Sequence, residues 1–208
     1  MNTAFILESA EAINQAILNS ETEIESLDRE IGDGDHFINM KRGCATIVAM
    51  HDELATLSPD VALNKIGMKL LSTIGGASGP LFASFFMAMA KALKEQNDSS
   101  IVSIANAFDA GVQSIGSRGK AGLGEKTMLD VLIPVAKQFK ALAEHQDSKT
   151  IAQQLPQVAL EGVLATKDMI ATKGRAAGLG ERAIGHIDPG AKSCQVMICT
   201  VCDLVAKQ

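Results

Sequence analysis

Apolar residues recur along most of this chain with helical spacing. Phe5, Ile6, Ile13, Ile17, Ile24 and Leu27 form one stripe through the first segment. Ser58-Pro59-Asp60 reads as a helix start, with a capping residue followed by proline in the first turn. The Ala/Met-rich stretch from Ala83 to Gln96 ends at Asn97-Asp98-Ser99-Ser100, a turn signal. Ser148 is expected to cap a helix beginning near Lys149. Asp188-Pro189 opens a last helix over Gly190 to Ala206. Pro134 and Pro156 fall inside helical patterns and are expected to kink or break them. No convincing set of alternating strands is present. The pattern predicts about eight helices in an all-α bundle or barrel, one domain over residues 1–208.

The glycines collect in four connections: Gly32 and Gly34; Gly75, Gly76 and Gly79; Gly116, Gly119, Gly122 and Gly124; and Gly174, Gly178, Gly180 and Gly185. A helical bundle needs only short turns, so long glycine-rich links imply something to hold. Alternate connections of an up-and-down bundle emerge at one end, so the four links can meet at one mouth. Two of them nearly repeat: RGKAGLGEKT (118–127) and KGRAAGLGERA (173–183) each carry GLGE followed by a base.

The chemistry starts in LDREIGDGDH, where Asp28, Asp33 and Asp35 crowd together beside Glu30 and His36. Carboxylates gathered on one loop repel one another unless a cation sits between them. Hard oxygen ligands suit magnesium or calcium, and an ion held by a few carboxylates keeps positions open for phosphates. The competing reading is a solvated acidic turn. An EF-hand does not fit, because the fifth and twelfth positions counted from Asp33 are Phe37 and Cys44.

GGASGP (75–80) precedes an apolar helix, and the first N–H groups of a helix are an anion site. Ser78 there is a helix cap or a donor to phosphate; a tight interhelical turn is the alternative. GLGEKT (122–127) is not a P-loop, since Glu125 stands where that motif needs glycine and no strand precedes it. The stretch 173–190 offers Arg175, Arg182 and His186 among glycines, either for a developing phosphate charge or as a solvated surface loop. Asp188 reads as the cap of the last helix.

Composition narrows the field. The 208 residues include 47% hydrophobic side chains but no Trp or Tyr, so aliphatic residues, Met and Phe must fill the core. A net charge of −5 and the lack of a basic cluster with interleaved aromatics argue against nucleic-acid binding. No apolar run reaches membrane-spanning length, and the acids in MNTAFILESAEAIN do not suit a signal peptide. A cytoplasmic protein is expected. Cys194, Cys199 and Cys202 have the C-x4-C-x2-C spacing of an iron–sulfur motif, but apolar residues lie between them and Cys44 is far upstream. Buried cysteines on an apolar helix are expected instead.

Four segments in order, LDREIGDGDHFINMKRG, GMKLLSTIGGASGPLFASFF, SRGKAGLGEKTMLDVLIPV and KGRAAGLGERAIGHIDPGAKS, give a resemblance nearly end to end. The chain resembles the nucleotide-binding L subunits of bacterial dihydroxyacetone kinase. The resemblance implies an eight-helix antiparallel barrel binding ADP or ATP at one end through two magnesium ions. Asp28, Asp33 and Asp35 match the metal ligands. His36, Asn39 and the loop Gly76, Ala77, Ser78 and Gly79 match phosphate contacts. Gly122, Thr127 and Met128 match residues near the nucleoside. Arg175, matched to the catalytic position, completes the site with Asp188, Pro189 and Gly190. The resemblance also implies that dihydroxyacetone is held by a partner K subunit and that a phosphocarrier M subunit recharges resident ADP. Members of the family can also bind a transcription regulator, and a homodimer or hetero-oligomer is expected. Phe37 stands where the family often has glycine, and Ala83-Ser84 replaces a common Gly-Thr pair. Two other readings stand beside the phosphotransferase subunit. One is an ATP-dependent kinase subunit for another short ketose. The other is a non-enzymatic nucleotide-binding regulatory module.

Overall fold

The structure, a computed structural model, describes every residue of 1–208 except Asn97 and Ser99. The turn expected at Asn97-Asp98-Ser99-Ser100 therefore lies partly outside the described residues. Eight long helices of 14 to 19 residues dominate: α1 (Thr3–Asn19), α3 (His36–Ala49), α5 (Pro59–Thr73), α6 (Ser78–Gln96), α7 (Ile101–Gly119), α8 (Leu129–Ala143), α9 (Ser148–Ala165) and α10 (Pro189–Lys207). Two shorter ones, α2 (Glu21–Ile31) and α4 (His51–Leu54), join them. Two 3-10 stretches, Thr166–Asp168 and Arg175–Ala183, lie between α9 and α10. No strand occurs among the described residues, so the all-α expectation holds; the expected eight helices correspond to the long ones, and α2, α4 and the two 3-10 stretches add to them.

Each long helix packs on its two neighbours in the order α1, α3, α5, α6, α7, α8, α9, α10, and α10 returns to α1. The ring is closed, with the heads of α3, α6, α8 and α10 at one end, the arrangement of an antiparallel ring. Close packing is bought with small residues: a Cβ on Gly67 would come within 2.9 Å of the Ala83 carbonyl oxygen, bringing α5 onto α6. Aliphatic side chains from every long helix fill one core, joined by edge-on contacts among Phe85, Phe86, Phe108 and Phe139. Inside the ring an apolar cavity of about 870 Å³ remains. No helix among the described residues is long and apolar enough to cross a membrane.

Several local expectations change. The first stripe is two helices, because the Ser20 hydroxyl donates back to the Ala16 carbonyl at 2.9 Å and the chain leaves helical geometry there. Asp147, not Ser148, caps α9, accepting from the Thr150 N–H at 2.8 Å. Pro134 and Pro156 break neither α8 nor α9. The Asp130 carbonyl, which loses its helical donor at Pro134, lies against Gly162, where an added Cβ would meet it at 2.5 Å. Tertiary packing here overrides the local cost of proline. All four cysteines are free. Cys194 and Cys202 are buried on α10 and Cys44 on α3, and burial pushes the Cys44 and Cys202 thiols up to about 11 and about 12.

Candidate functional site

The N-termini of α3, α6, α8 and α10 all open at the same end of the ring. They surround a cavity of about 590 Å³. The heads of four helices present backbone N–H groups and the positive ends of four dipoles, a setting for anions. All four glycine-rich connections reach this end.

The acidic loop is shaped by two glycines in different ways. Gly34 turns at φ +78°. Gly32 is extended, but a Cβ there would lie 1.7 Å from the Asp28 carboxylate, so only glycine fits. Asp28 is buried, and its carboxylate accepts from the His36 N–H at 3.0 Å. Partial enclosure and the neighbouring Asp33 carboxyl push the Asp35 carboxyl up. Asp33 points to Arg175, whose Nε lies 2.7 Å away. Among the described residues no three carboxylate, imidazole or thiol groups form a preformed cage. The donors are still hard oxygens, and magnesium takes one or two carboxylates with water and phosphate oxygens rather than an all-protein cage. The residues therefore fit magnesium.

His36 opens α3, and its Nε2 lies 2.8 Å from the Ser193 hydroxyl, which donates to the Pro189 carbonyl at 3.0 Å. Burial lowers its pKa in spite of Asp28 and Asp35, so the ring is neutral at pH 7. Asn39 is 6% exposed and is oriented by Arg42 at 3.4 Å. The Gly75–Gly76 bend lies directly against Asn39 and Asp35. Phe37 turns inward, 2% exposed, and packs in the core beneath the acidic loop.

Gly76, Ala77 and Ser78 line the cavity. Ser78 is the first residue of α6, not the capping residue before it. Gly79 sits behind the bend, where a Cβ would meet the Ile74 carbonyl oxygen at 2.3 Å. Thr127 and Met128 line the cavity, and Met128 lies against Gly190. Gly122 does not line it; its N–H donates to Glu125 at 2.6 Å. Arg175, Asp188, Pro189 and Gly190 line the far wall. Arg182 is exposed and away from it, and His186 faces Glu30 at 3.6 Å.

Four residues at this end were not singled out by sequence. Asp130, 2% exposed, accepts from the N–H groups of Gly124 and Thr127 at 2.6 and 2.8 Å and so shapes the loop before α8. Arg118 and Lys173 bring two further cations to the rim. Lys126 is buried, 1% exposed. The two GLGE copies agree in backbone at their second glycine, φ +82° at Gly124 and +56° at Gly180. They part at the following base: Lys126 goes inside and Arg182 stays out.

Asp188 caps α10, accepting from the Ala191 N–H at 2.7 Å. Burial pushes its carboxyl up to about 7; the Ala191 N–H opposes this and Asp130 adds to it. A carboxyl raised above its unfolded value of ~3.9 holds an extra proton in the folded state, so stability falls as pH climbs from there through about 7. The residue is only part-buried, which holds the effect to roughly 1–2 kcal/mol. Asp188→Asn keeps a good cap and is expected to flatten this difference when unfolding by denaturant is compared at pH 5 and pH 8. Parallel pH profiles for the two proteins would contradict it.

Fold and site together define an all-helical barrel with one open end arranged for an anionic ligand and a hard cation. Residues 30–203 match the DAK2 domain family, and the chain belongs to that family. It is 41% identical over 184 residues to "PEP-dependent dihydroxyacetone kinase, ADP-binding subunit DhaL" of Escherichia coli (strain K12), covering 88% of each chain. It is 35% identical over 209 residues to the corresponding subunit of kinase 2 of Listeria innocua, covering all of this chain and 97% of that one. Among solved structures it is similar to the dihydroxyacetone kinase from C. freundii in complex with AMP-PNP and Mg2+, with a TM-score of 0.76 and 24% identity. That match covers 97% of this chain and 34% of the other, so this chain spans about a third of that protein, and the likeness is one of fold.

Proposed function

We propose that this chain is the ADP/ATP-binding subunit of a phosphoenolpyruvate-dependent dihydroxyacetone kinase. The reading makes it one domain over residues 1–208, cytoplasmic, with nucleotide and two magnesium ions at the open end of the barrel. Dihydroxyacetone is held by a partner K subunit, and a phosphocarrier M subunit recharges resident ADP. The observation that carries the reading is the convergence of four helix N-termini, three aspartates and Arg175 on one cavity. The names of the relatives supply the nucleotide and the sugar.

Asp28, Asp33 and Asp35 hold the metal. Bound magnesium neutralises phosphate charge and helps position the group in transfer. Neutral His36, Asn39 and the Gly76, Ala77, Ser78 and Gly79 bend hold the phosphates. Gly122, Thr127 and Met128 lie toward the nucleoside, with Gly122 acting through the loop it shapes. Asp188, Pro189 and Gly190 close the site. Arg175 meets the charge that develops as the phosphoryl group leaves the nucleotide for a sugar hydroxyl.

A specific observation favours a second reading. The chain is 30% identical to "D-erythrulose kinase" of Mycolicibacterium smegmatis while covering 34% of it, which keeps an ATP-dependent kinase of a related ketose in view. Native mass spectrometry of the purified protein separates them. Retained ADP with two magnesium ions is the expected result. An empty chain that binds ATP reversibly favours the second reading. Failure to bind adenine nucleotide with added magnesium overturns both and means that the fold serves another use.

A further inference from the structure

Lysine in a glycine-rich loop beside a phosphate site suggests a phosphate ligand, but the geometry gives Lys126 another task. Its Nζ donates to the Thr166 carbonyl, to the His186 carbonyl at 2.5 Å and, more weakly, to the Lys167 carbonyl at 3.5 Å. An ammonium has three N–H donors, and all three are used. The residue holds φ +61° and is 1% exposed, so the side chain is committed inward.

The acceptors come from two separate stretches of the chain. Thr166 and Lys167 follow the C-terminus of α9, where carbonyls lack helical partners and a cation is favoured. His186 lies just before Asp188, the cap of α10. Between them runs the excursion 168–185, which carries Arg175. One ammonium thus closes the base of that excursion. Two weaker ties support it: Gly185 N–H to the Lys167 carbonyl at 2.8 Å, and Asp188 N–H to the Thr166 hydroxyl at 3.1 Å. The preceding residue grips the same excursion near its rim. Glu125 accepts from the Thr172 hydroxyl at 2.7 Å, its carbonyl accepts from the Thr172 N–H at 3.3 Å, and Lys173 lies 3.8 Å from its carboxylate. Arg175 lies three residues beyond Thr172. Beyond these ties the excursion is held by the Arg175–Asp33 pair at 2.7 Å and by a small apolar cluster, Ala171, Ala176, Leu179 and Ala183 with Ile31 of α2.

We propose that Lys126 is a positioning residue that acts through Arg175, clamping the segment 168–185 against the loop before α8. The proposal rests on the functional reading above for Arg175's part in transfer, but the clamp itself does not. Lys126→Met removes the ammonium at similar length and leaves the carbonyls without donors. Magnesium–ADP affinity is expected to change less than about fivefold, while single-turnover transfer with the partner subunits falls about 100-fold, the scale of a 1 Å misplacement. In an Arg175→Ala background the same change is expected to cost less than about threefold more, because both act on one interaction. Amide exchange over 170–184, followed without nucleotide, is expected to rise at least about tenfold while α5 and α6 keep their protection. If the Met variant does not fold, Lys126→Gln, which keeps two N–H donors but loses the charge, runs through the same cycle. Fully additive losses in the double variant would overturn the link to Arg175. Unchanged exchange over 170–184 would overturn the clamp, whether or not wild-type protein binds nucleotide.

Discussion

Asp33→Asn is expected to weaken magnesium-dependent ADP binding by about 100-fold or more, the scale on which metal sites respond to loss of a ligand or its support. The amide keeps the shape of the side chain and loses the charge. Asp33 differs from its two neighbours in how it is held. Asp28 is fixed by the His36 N–H, and Asp35 lies against the Gly75–Gly76 bend and Asn39. Asp33 makes its closest contact with Arg175, at 2.7 Å, with both side chains well exposed. An exposed pair of this kind contributes about 0–1 kcal/mol to stability, so the fold is expected to survive the substitution. Calorimetric titration with ADP, with magnesium and with chelator, checks the point. The difference between the two titrations should nearly vanish in the variant. A variant with the wild-type magnesium dependence would remove Asp33 from the metal site.

The same loop shows what is legible in a sequence. Three aspartates separated by glycines announce repulsion in need of a cation, and an apolar helix behind GGASGP announces a free helix head. Both signals are local. The helices were legible for the same reason, since each long one carries its own stripe. The closure of α10 onto α1 is not in the local pattern and was expected only through the family resemblance, because it depends on contacts between opposite ends of the chain. Proline shows the limit of local rules. Pro134 and Pro156 stay inside helices because the ring holds α8 and α9 along their length. Ser20 ends α1 with a hydroxyl bond that has no strong sequence signature.

Lys126 marks the furthest point sequence reasoning misses. GLGEKT and GLGERA offer the same pattern, yet Lys126 is buried among carbonyls 40 and 60 residues away, while Arg182 is solvated. A base after GLGE is ordinarily a surface charge, and nothing nearby in the chain signals burial. Asp130 is similar: an acid in the first turn of a helix reads as a dipole partner, whereas here both oxygens hold the preceding loop. Most residues that line the cavity were readable, and those that hold the loops in place were not. Ligand-facing loops carry their chemistry in compact motifs, but the bonds that fix them run across the fold.

Arg175→Ala is expected to slow phosphoryl transfer by about 10³–10⁵-fold, the range for a lost arginine that meets transition-state charge. Affinity for magnesium–ADP should change far less, because ground-state ADP lacks the charge that appears during transfer. The structure supports the asymmetry. Arg175 reaches the cavity from the excursion between α9 and α10, while the aspartates and the heads of α3 and α6 belong to other connections. Removing the guanidinium leaves that whole wall in place. It also frees Asp33 of its cationic neighbour, so a cation drawn to the acidic loop would lose a competitor and nucleotide affinity should hold or rise slightly. Single-turnover transfer from preloaded ATP to dihydroxyacetone, with the partner subunits in excess, reads the chemical step apart from nucleotide exchange. Equal losses in affinity and rate would make Arg175 a general binding residue. A rate loss with affinity intact would place it on the charge that exists only in transit.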